Sequence, residues 1–302
     1  MRADGREWVL KGHSSRRAID RLAISHALEL GLADEGFPVA ELRRTASGLT
    51  LVAGEHAHYD LHGWVDGDQQ AIADRDGLLA RQPAVVGELA RVLGRLHRIS
   101  RHLDLGGGAA RVDADRLLRS PLASVHRLRR PSRRLLSRWQ ALRLKRSTSD
   151  FDRWILEVLP GIARHAERLA TESIAPLVDA SGMGIVHNDL NWENLIWDER
   201  MRVRAVIDFD NAAMAPWAAE VGSAAVVLVG TDPHTVEEFV SRYEAVSGAA
   251  VDRAVVRLTM EAKCVQSILN TIVLHLDGQG ATPLRVQWCQ HLHGSLGALS
   301  EL

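Results

Sequence analysis

A chain of 302 residues with 46% hydrophobic and 25% charged residues can bury one large core or two closely packed lobes, which excludes a disordered or low-complexity class. Its formal net charge of -1 gives nucleic acid no general electrostatic footing, so no nucleic-acid partner is expected. Cys264 and Cys289 are the only cysteines and lack CxxC spacing, which argues against a zinc site or a disulfide framework and fits the cytoplasm.

In chain order, Asp4-Gly5 marks a turn, and Glu7 to Lys11 predicts a strand. No apolar core of a signal peptide follows Met1. Ile19, Leu22, Ala23, Ala27 and Leu30 recur at helical intervals and predict a helix over 16–33, ended by Gly36-Phe37-Pro38-Val39. Leu49–Val52 and His58–Val65 are strand candidates, the second closed by Asp66-Gly67. The first 67 residues thus form a small α+β unit, and the pattern then changes. Val85, Leu89, Leu93 and Leu96 make the apolar stripe of a helix ending near Ile99, and 105–108 is a glycine loop. Between Arg127 and Arg146 there are eight arginines and Lys145 with no acidic residue; a solvated helix or loop and an anion-attracting surface both account for them.

Phe151, Trp154, Ile155, Val158 and Ile162 predict a helix over 151–170, with Pro160-Gly161 as a candidate kink. Ile185-Val186, Leu195–Trp197 and Val203–Phe209 are short apolar runs, the last two joined by the polar turn 198–201 as a hairpin. The apolar segment 221–230 is too short to span a bilayer and follows Glu220, so buried structure is expected and no membrane partner. Leu258, Ala262, Val265, Leu269, Ile272 and Leu276 predict a core-facing helix.

Three oxygen-bearing residues stand around that hairpin. Asp189 and Asn194 occupy the polar loop before it, and Asp208 lies near the end of its returning strand. Singly, the first two could cap turns and the third could end a strand. Together they supply what phosphoryl transfer needs: hard oxygen ligands for magnesium beside nucleotide phosphates, and a carboxylate to orient an attacking hydroxyl and take its proton. His187 reads as a scaffold for the loop backbone, with general base as the alternative.

The segment His187-Asn188-Asp189-Leu190-Asn191-Trp192-Glu193-Asn194, followed by Ile207-Asp208-Phe209, resembles the catalytic and metal-binding segments of aminoglycoside phosphotransferases and the related choline and homoserine kinases. The family segment usually reads His-Gly-Asp, so Asn188 departs from it. The resemblance implies an α+β, protein-kinase-like bilobal fold: a nucleotide-binding lobe and hinge over 1–67, and a mainly helical catalytic lobe over 68–302. It implies transfer of the terminal phosphoryl group of ATP or GTP to a small hydroxyl-bearing antibiotic or metabolite. Asp189 takes the catalytic role beside His187, and Asn194 with Asp208 takes Mg2+. Trp8–Lys11 resembles the strand whose lysine contacts nucleotide phosphates, and His58, Tyr59, Asp60 and Leu61 lie on the strand leading to the adenine pocket. Leu96-His97 resembles the end of the first large-lobe helix, and Ala215–Glu220 resembles a segment whose acidic residue steadies that lobe.

Two further departures are expected. The first strand and phosphate-covering loop of such lobes are missing ahead of Trp8, giving a shortened N-terminal lobe. The helix glutamate that partners the lysine falls near Ser25, with Glu29 one turn later as the nearest substitute. These departures make a nucleotide-binding pseudokinase with a regulatory role the alternative to an active enzyme.

Overall fold

The computed structural model describes residues 2–3, 5–13, 16–69, 75–103, 114–129, 142, 144, 149–177, 182–279 and 281–299. The glycine loop at 105–108 and most of the basic stretch 127–146 lie outside them. The chain forms two compact units, Met1–Val112 with Ala180–Val251, and Asp113–Asp179 with Asp252–Leu302. The lobe boundary expected at residue 67 falls inside the first unit, which holds every candidate site residue.

The first unit opens on an antiparallel sheet of order β1-β2-β4-β3, built from β1 (Arg2–Ala3), β2 (Arg6–His13), β3 (Val52–Ala53) and β4 (His58–Gly63). Its register sets Lys11 opposite Asp60 and His13 opposite His58. Because side chains alternate along a strand, Lys11 and His13 share one face of β2, as Asp60 and His62 share one face of β4. Helix α1 (Arg16–Asp34) follows β2, and its Leu22, Ile24, Leu28 and Leu32 are buried. The strand expected from Leu49 begins only at Val52: Thr45 ties 45–49 into a turn, its N–H donating to the Leu49 carbonyl at 2.7 Å.

After β5 (Asp68–Gln69) come α2 (Arg75–Arg81) and α3 (Ala84–Ser100). Helix α3 buries Val85, Val86, Leu89, Val92, Leu93 and Leu96, each such side chain contributing about 1.5–3 kcal/mol. The rest of the unit comprises β6 (Met183–Val186), β7 (Leu195–Trp197), β8 (Val203–Val206), β9 (Ala213–Pro216), α6 (Trp217–Leu228) and α7 (Pro233–Ser247). β7 lies between β5 and β8, and β6 pairs with β9, all antiparallel. The apolar segment 221–230 supplies most of α6, which is buried almost throughout. α3 packs on α7 where Gly94 leaves no side chain: a Cβ there would sit 2.9 Å from Val246.

The second unit is helical: α4 (Ala114–Arg129), α5 (Asp150–Leu169), α8 (Arg253–Leu276) and α9 (Pro283–Leu299). Ser149 and Asp152 cap α5 reciprocally, and the helix runs unbroken through Pro160-Gly161. The packed apolar face, with Ile155, Val158 and Ile162 buried, holds the helix across the hydrogen bond that proline cannot donate. Buried Glu261 on α8 is bound by Arg168 and Arg257. Among the described residues, no helix is long and apolar enough to cross a membrane.

Candidate active site

The loop between β6 and β7 is held by its own polar side chains. His187 is fully buried, with its Nε2 donating to the Ile207 carbonyl at 3.0 Å and its Nδ1 accepting from the Asp189 N–H at 3.3 Å. Both ring nitrogens are thereby committed to backbone. Asn188 sits in the left-handed region at φ 63°, a conformation glycine and asparagine tolerate best. This is how the loop keeps its turn although Asn188 stands where the family segment has glycine. The Asn188 amide also reaches across to the Asn211 carbonyl at 3.2 Å.

Asp189 is half-buried, and its carbonyl accepts from Asn191 Nδ2 at 3.1 Å and from Asn194 Nδ2 at 2.9 Å. Asn191 then caps the short turn Trp192–Asn194, accepting from the N–H groups of Glu193 and Asn194. Carboxylate oxygen Oδ2 of Asp189 accepts from Asn211 Nδ2 at 3.4 Å.

β8 ends at Val206, three residues before the expected end of the strand. Ile207 donates its N–H to the Asn194 carbonyl at 3.0 Å, and Asp208 then turns left-handed at φ 66°. A tight turn, Phe209–Asn211, follows. The Phe209 ring lies 4.6 Å from that of His187, and the Ser25 hydroxyl of α1 donates to the Phe209 carbonyl. The loops bearing Asp189, Asn194 and Asp208 are therefore cross-linked directly.

Lys11 extends from β2 to this turn, its Nζ 2.8 Å from Asp208 Oδ1 and 2.9 Å from Asp210 Oδ1. Burial alone would lower the lysine's pKa, but hydrogen bonds to the two carboxylates outweigh it and the net shift is upward. Asp208 keeps 44% of its side chain exposed. Asn194 spends its amide nitrogen on Asp189, which turns its oxygen the other way. A carboxylate and an amide oxygen are hard donors, so this set fits magnesium. Among the described residues no three His, Cys, Asp or Glu side chains form a metal cluster.

Two buried networks support the loops. Glu220 of α6 accepts from His97 Nε2 at 2.6 Å and from the N–H groups of His187 and Asn188. Burial would raise this carboxyl's pKa, but the hydrogen bonds from His97 and the Asn188 N–H hold it below the usual range. His97 Nδ1 lies 2.8 Å from the Tyr243 hydroxyl on α7.

The second network fills the space between α1 and the first sheet. Asp60, fully buried, lies 2.8 Å from His13 Nε2, 3.0 Å from His26 Nε2 and 3.4 Å from His62 Nδ1. Its carboxyl is desolvated, yet the histidine hydrogen bonds hold its pKa far below the usual range. Glu29 bonds His62 at 3.0 Å, not Lys11. Burial opposes a charged His62, but Asp60 and Glu29 prevail and raise its pKa to about 9. The Asp60 side chain thus faces α1, while His58, Tyr59 and Leu61 are half-buried. This network goes unanticipated in the sequence reading, although the signal is there: Lys11/His13 and Asp60/His62 at strand spacing, and His26/Glu29 at helical spacing.

With this geometry in hand, a model of the phosphotransferase enzyme family matches residues 2–258. Among solved structures, an aminoglycoside phosphotransferase from Alicyclobacillus acidocaldarius has a TM-score of 0.66 at 19% identity, covering 99% of this chain and 87% of that one. A spectinomycin phosphotransferase in complex with ADP and spectinomycin has a TM-score of 0.65 at 12% identity, covering 100% and 88%. Choline kinase LicA from Streptococcus pneumoniae has a TM-score of 0.54 at 15% identity, covering 98% and 88%. No curated protein matches the chain by sequence. The family match over most of the chain, on a small mixed lobe followed by a mainly helical region, has one reading: this chain belongs to the phosphotransferase enzyme family, the aminoglycoside-phosphotransferase and choline-kinase-like group with a protein-kinase-like fold.

Proposed function

We propose that the protein is a cytoplasmic small-molecule kinase that moves the terminal phosphoryl group of ATP or GTP to a hydroxyl of a small antibiotic or metabolite. The observation that carries this reading is the cross-linking of the loops: Asn194 bonds the Asp189 carbonyl, Ile207 bonds the Asn194 carbonyl, and Lys11 bonds Asp208.

In this reading Asp189 accepts the acceptor's hydroxyl hydrogen and orients its oxygen toward the terminal phosphorus. The new P–O bond forms as the bond to the bridging oxygen breaks; the proton passes to the Asp189 carboxylate and the nucleoside diphosphate leaves. The Asn211 amide on Asp189 Oδ2 leaves the other carboxylate oxygen for the hydroxyl. Asp208 and Asn194 would hold magnesium, which when bound neutralises charge on the phosphate oxygens. Lys11 supplies a cation to the phosphates, and His187 keeps the loop in register through its two backbone bonds. The register puts His58 and Asp60 on the Lys11 face of the sheet and Tyr59 and Leu61 on the opposite face. In this reading β4 meets the nucleotide through His58 and through the backbone of Tyr59, Asp60 and Leu61, the Asp60 carboxylate being turned to α1.

The test is turnover of magnesium-ATP and magnesium-GTP with the purified full chain, across a panel of hydroxyl compounds. Acceptor-dependent release of the diphosphate is expected. Tight nucleotide binding with no turnover on any acceptor would replace this reading with that of a regulatory pseudokinase.

A further inference from the structure

We propose that Asp210 is the acidic residue that positions Lys11, in place of a glutamate on α1; this rests on the phosphotransfer reading above. In kinase-like sites the phosphate-contacting lysine is held in line by an acid on the lobe helix. Here Ser25 carries no charge and gives its hydroxyl to the Phe209 carbonyl. Glu29 is buried and bonded to His62. Asp34 and Glu35, at the end of the helix, are exposed. Among the described side chains, the carboxylates on Lys11 are Asp208 and Asp210, both from the loop after β8.

These two have different prospects. Asp208 is proposed above to hold magnesium, and with the ion bound its oxygens would be committed there. Asp210 remains. Its Oδ1 is 2.9 Å from Lys11 Nζ, and its Oδ2 is 3.8 Å from Nδ1 of His13, two residues further along the same face of β2. The other nitrogen of His13 is anchored on buried Asp60. Asp210 is therefore bonded to Lys11 and lies beside His13, the next inward position of the same strand. The turn that carries it is pinned to α1 through Ser25, so the helix acts on the lysine at one remove: α1 sets the turn, the turn sets Asp210, and Asp210 sets Lys11.

The discriminating experiment is a double-mutant cycle of Lys11→Met and Asp210→Asn, read by ADP binding in magnesium-free buffer. Lys11→Met should weaken ADP binding at least fivefold in the wild-type background and less than twofold in Asp210→Asn, because the lysine there is already out of line. With the best acceptor, Asp210→Asn should lower kcat about tenfold at unchanged half-saturating magnesium, and Asp210→Glu should recover part of it. Independent effects in the cycle would overturn the proposal, as would a rise in half-saturating magnesium, which would make Asp210 a metal ligand. A wild-type chain that neither binds ADP nor turns over would overturn the phosphotransfer reading and this proposal together. Turnover with an uncoupled cycle removes this proposal alone.

Discussion

Asn194 donates its side-chain amide to the Asp189 carbonyl at 2.9 Å, so one residue both closes the loop and turns its oxygen away from it, toward the magnesium position proposed above. Replacing it with alanine removes both at once. Asn194→Ala is expected to lower kcat about 100-fold, the scale on which misplacing a reacting group by an ångström acts, and to raise half-saturating magnesium. A titration of rate against magnesium checks this; an unchanged midpoint would take Asn194 out of the metal set.

Asp189 and Asp208 should separate by readout. Asp189→Ala removes the group proposed to receive the hydroxyl proton, for an expected loss of roughly 10²–10⁴ in kcat on the general scale for positioned acid–base groups, with nucleotide affinity kept within about twofold. Asp208→Ala should instead weaken nucleotide binding in the presence of magnesium more than in its absence. Calorimetry with ADP, with and without the ion, measures the difference.

The pairing of His62 with Asp60 and Glu29 predicts a pH effect on stability. The folded pKa of about 9 lies above the imidazole's ordinary 6.5, so the folded chain holds this proton more tightly than the unfolded one. The stabilisation is fully present below pH 6.5 and is lost as pH rises through 9, on the order of 2–3 kcal/mol from this group. Urea midpoints at pH 6.5 and 9.5 should fall more in the wild type than in His62→Gln. Equal slopes would mean that His62 is not the titrating group.

Asn188 offers a backbone test. At φ 63°, Asn188→Ala should cost about 1–2 kcal/mol, the usual scale for a side chain without asparagine's tolerance of that region. Asn188→Gly relaxes the backbone but gives up the bond to the Asn211 carbonyl, so it should stay within about 1 kcal/mol of wild type. If alanine and glycine behave alike in urea unfolding, the left-handed turn is not what asparagine serves here.

Much of this fold was legible because its apolar periods are strong. The stripe Val85–Leu96 became α3, and that from Leu258 to Leu276 became α8. Reading failed where a single polar bond decides. Thr45 delays a strand to Val52, and the Ile207–Asn194 bond ends β8 early. Pro160 pointed to a kink, yet burial on both sides of it keeps α5 continuous. At the site, residue types and spacing placed Asp189, Asn194 and Asp208 on adjoining loops. They did not foretell the partners of Lys11, for which Glu29 was the nearest candidate, because those depend on which carboxylates three-dimensional closure brings within 3 Å.

The support beneath the catalytic loop is open to a steric test at Gly184 of β6. A Cβ there would meet Trp217 Nε1 at 2.4 Å, closer than side-chain atoms come. Trp217 cannot simply move aside: it stacks on His97 at 5.9 Å, and Arg101 lies 4.6 Å from its ring centre on the cation–π side. His97 in turn holds Glu220, which holds the N–H groups of His187 and Asn188. Gly184→Ala should therefore destabilise by about 1–3 kcal/mol through overpacking. Because the clashing atoms are Nε1, Cε2 and Cζ2 along one edge of the indole, an edge that leucine lacks, the same substitution in a Trp217→Leu background should cost clearly less. Unfolding midpoints of the four proteins measure that coupling, and purely additive costs would show that Trp217 is not what glycine makes room for.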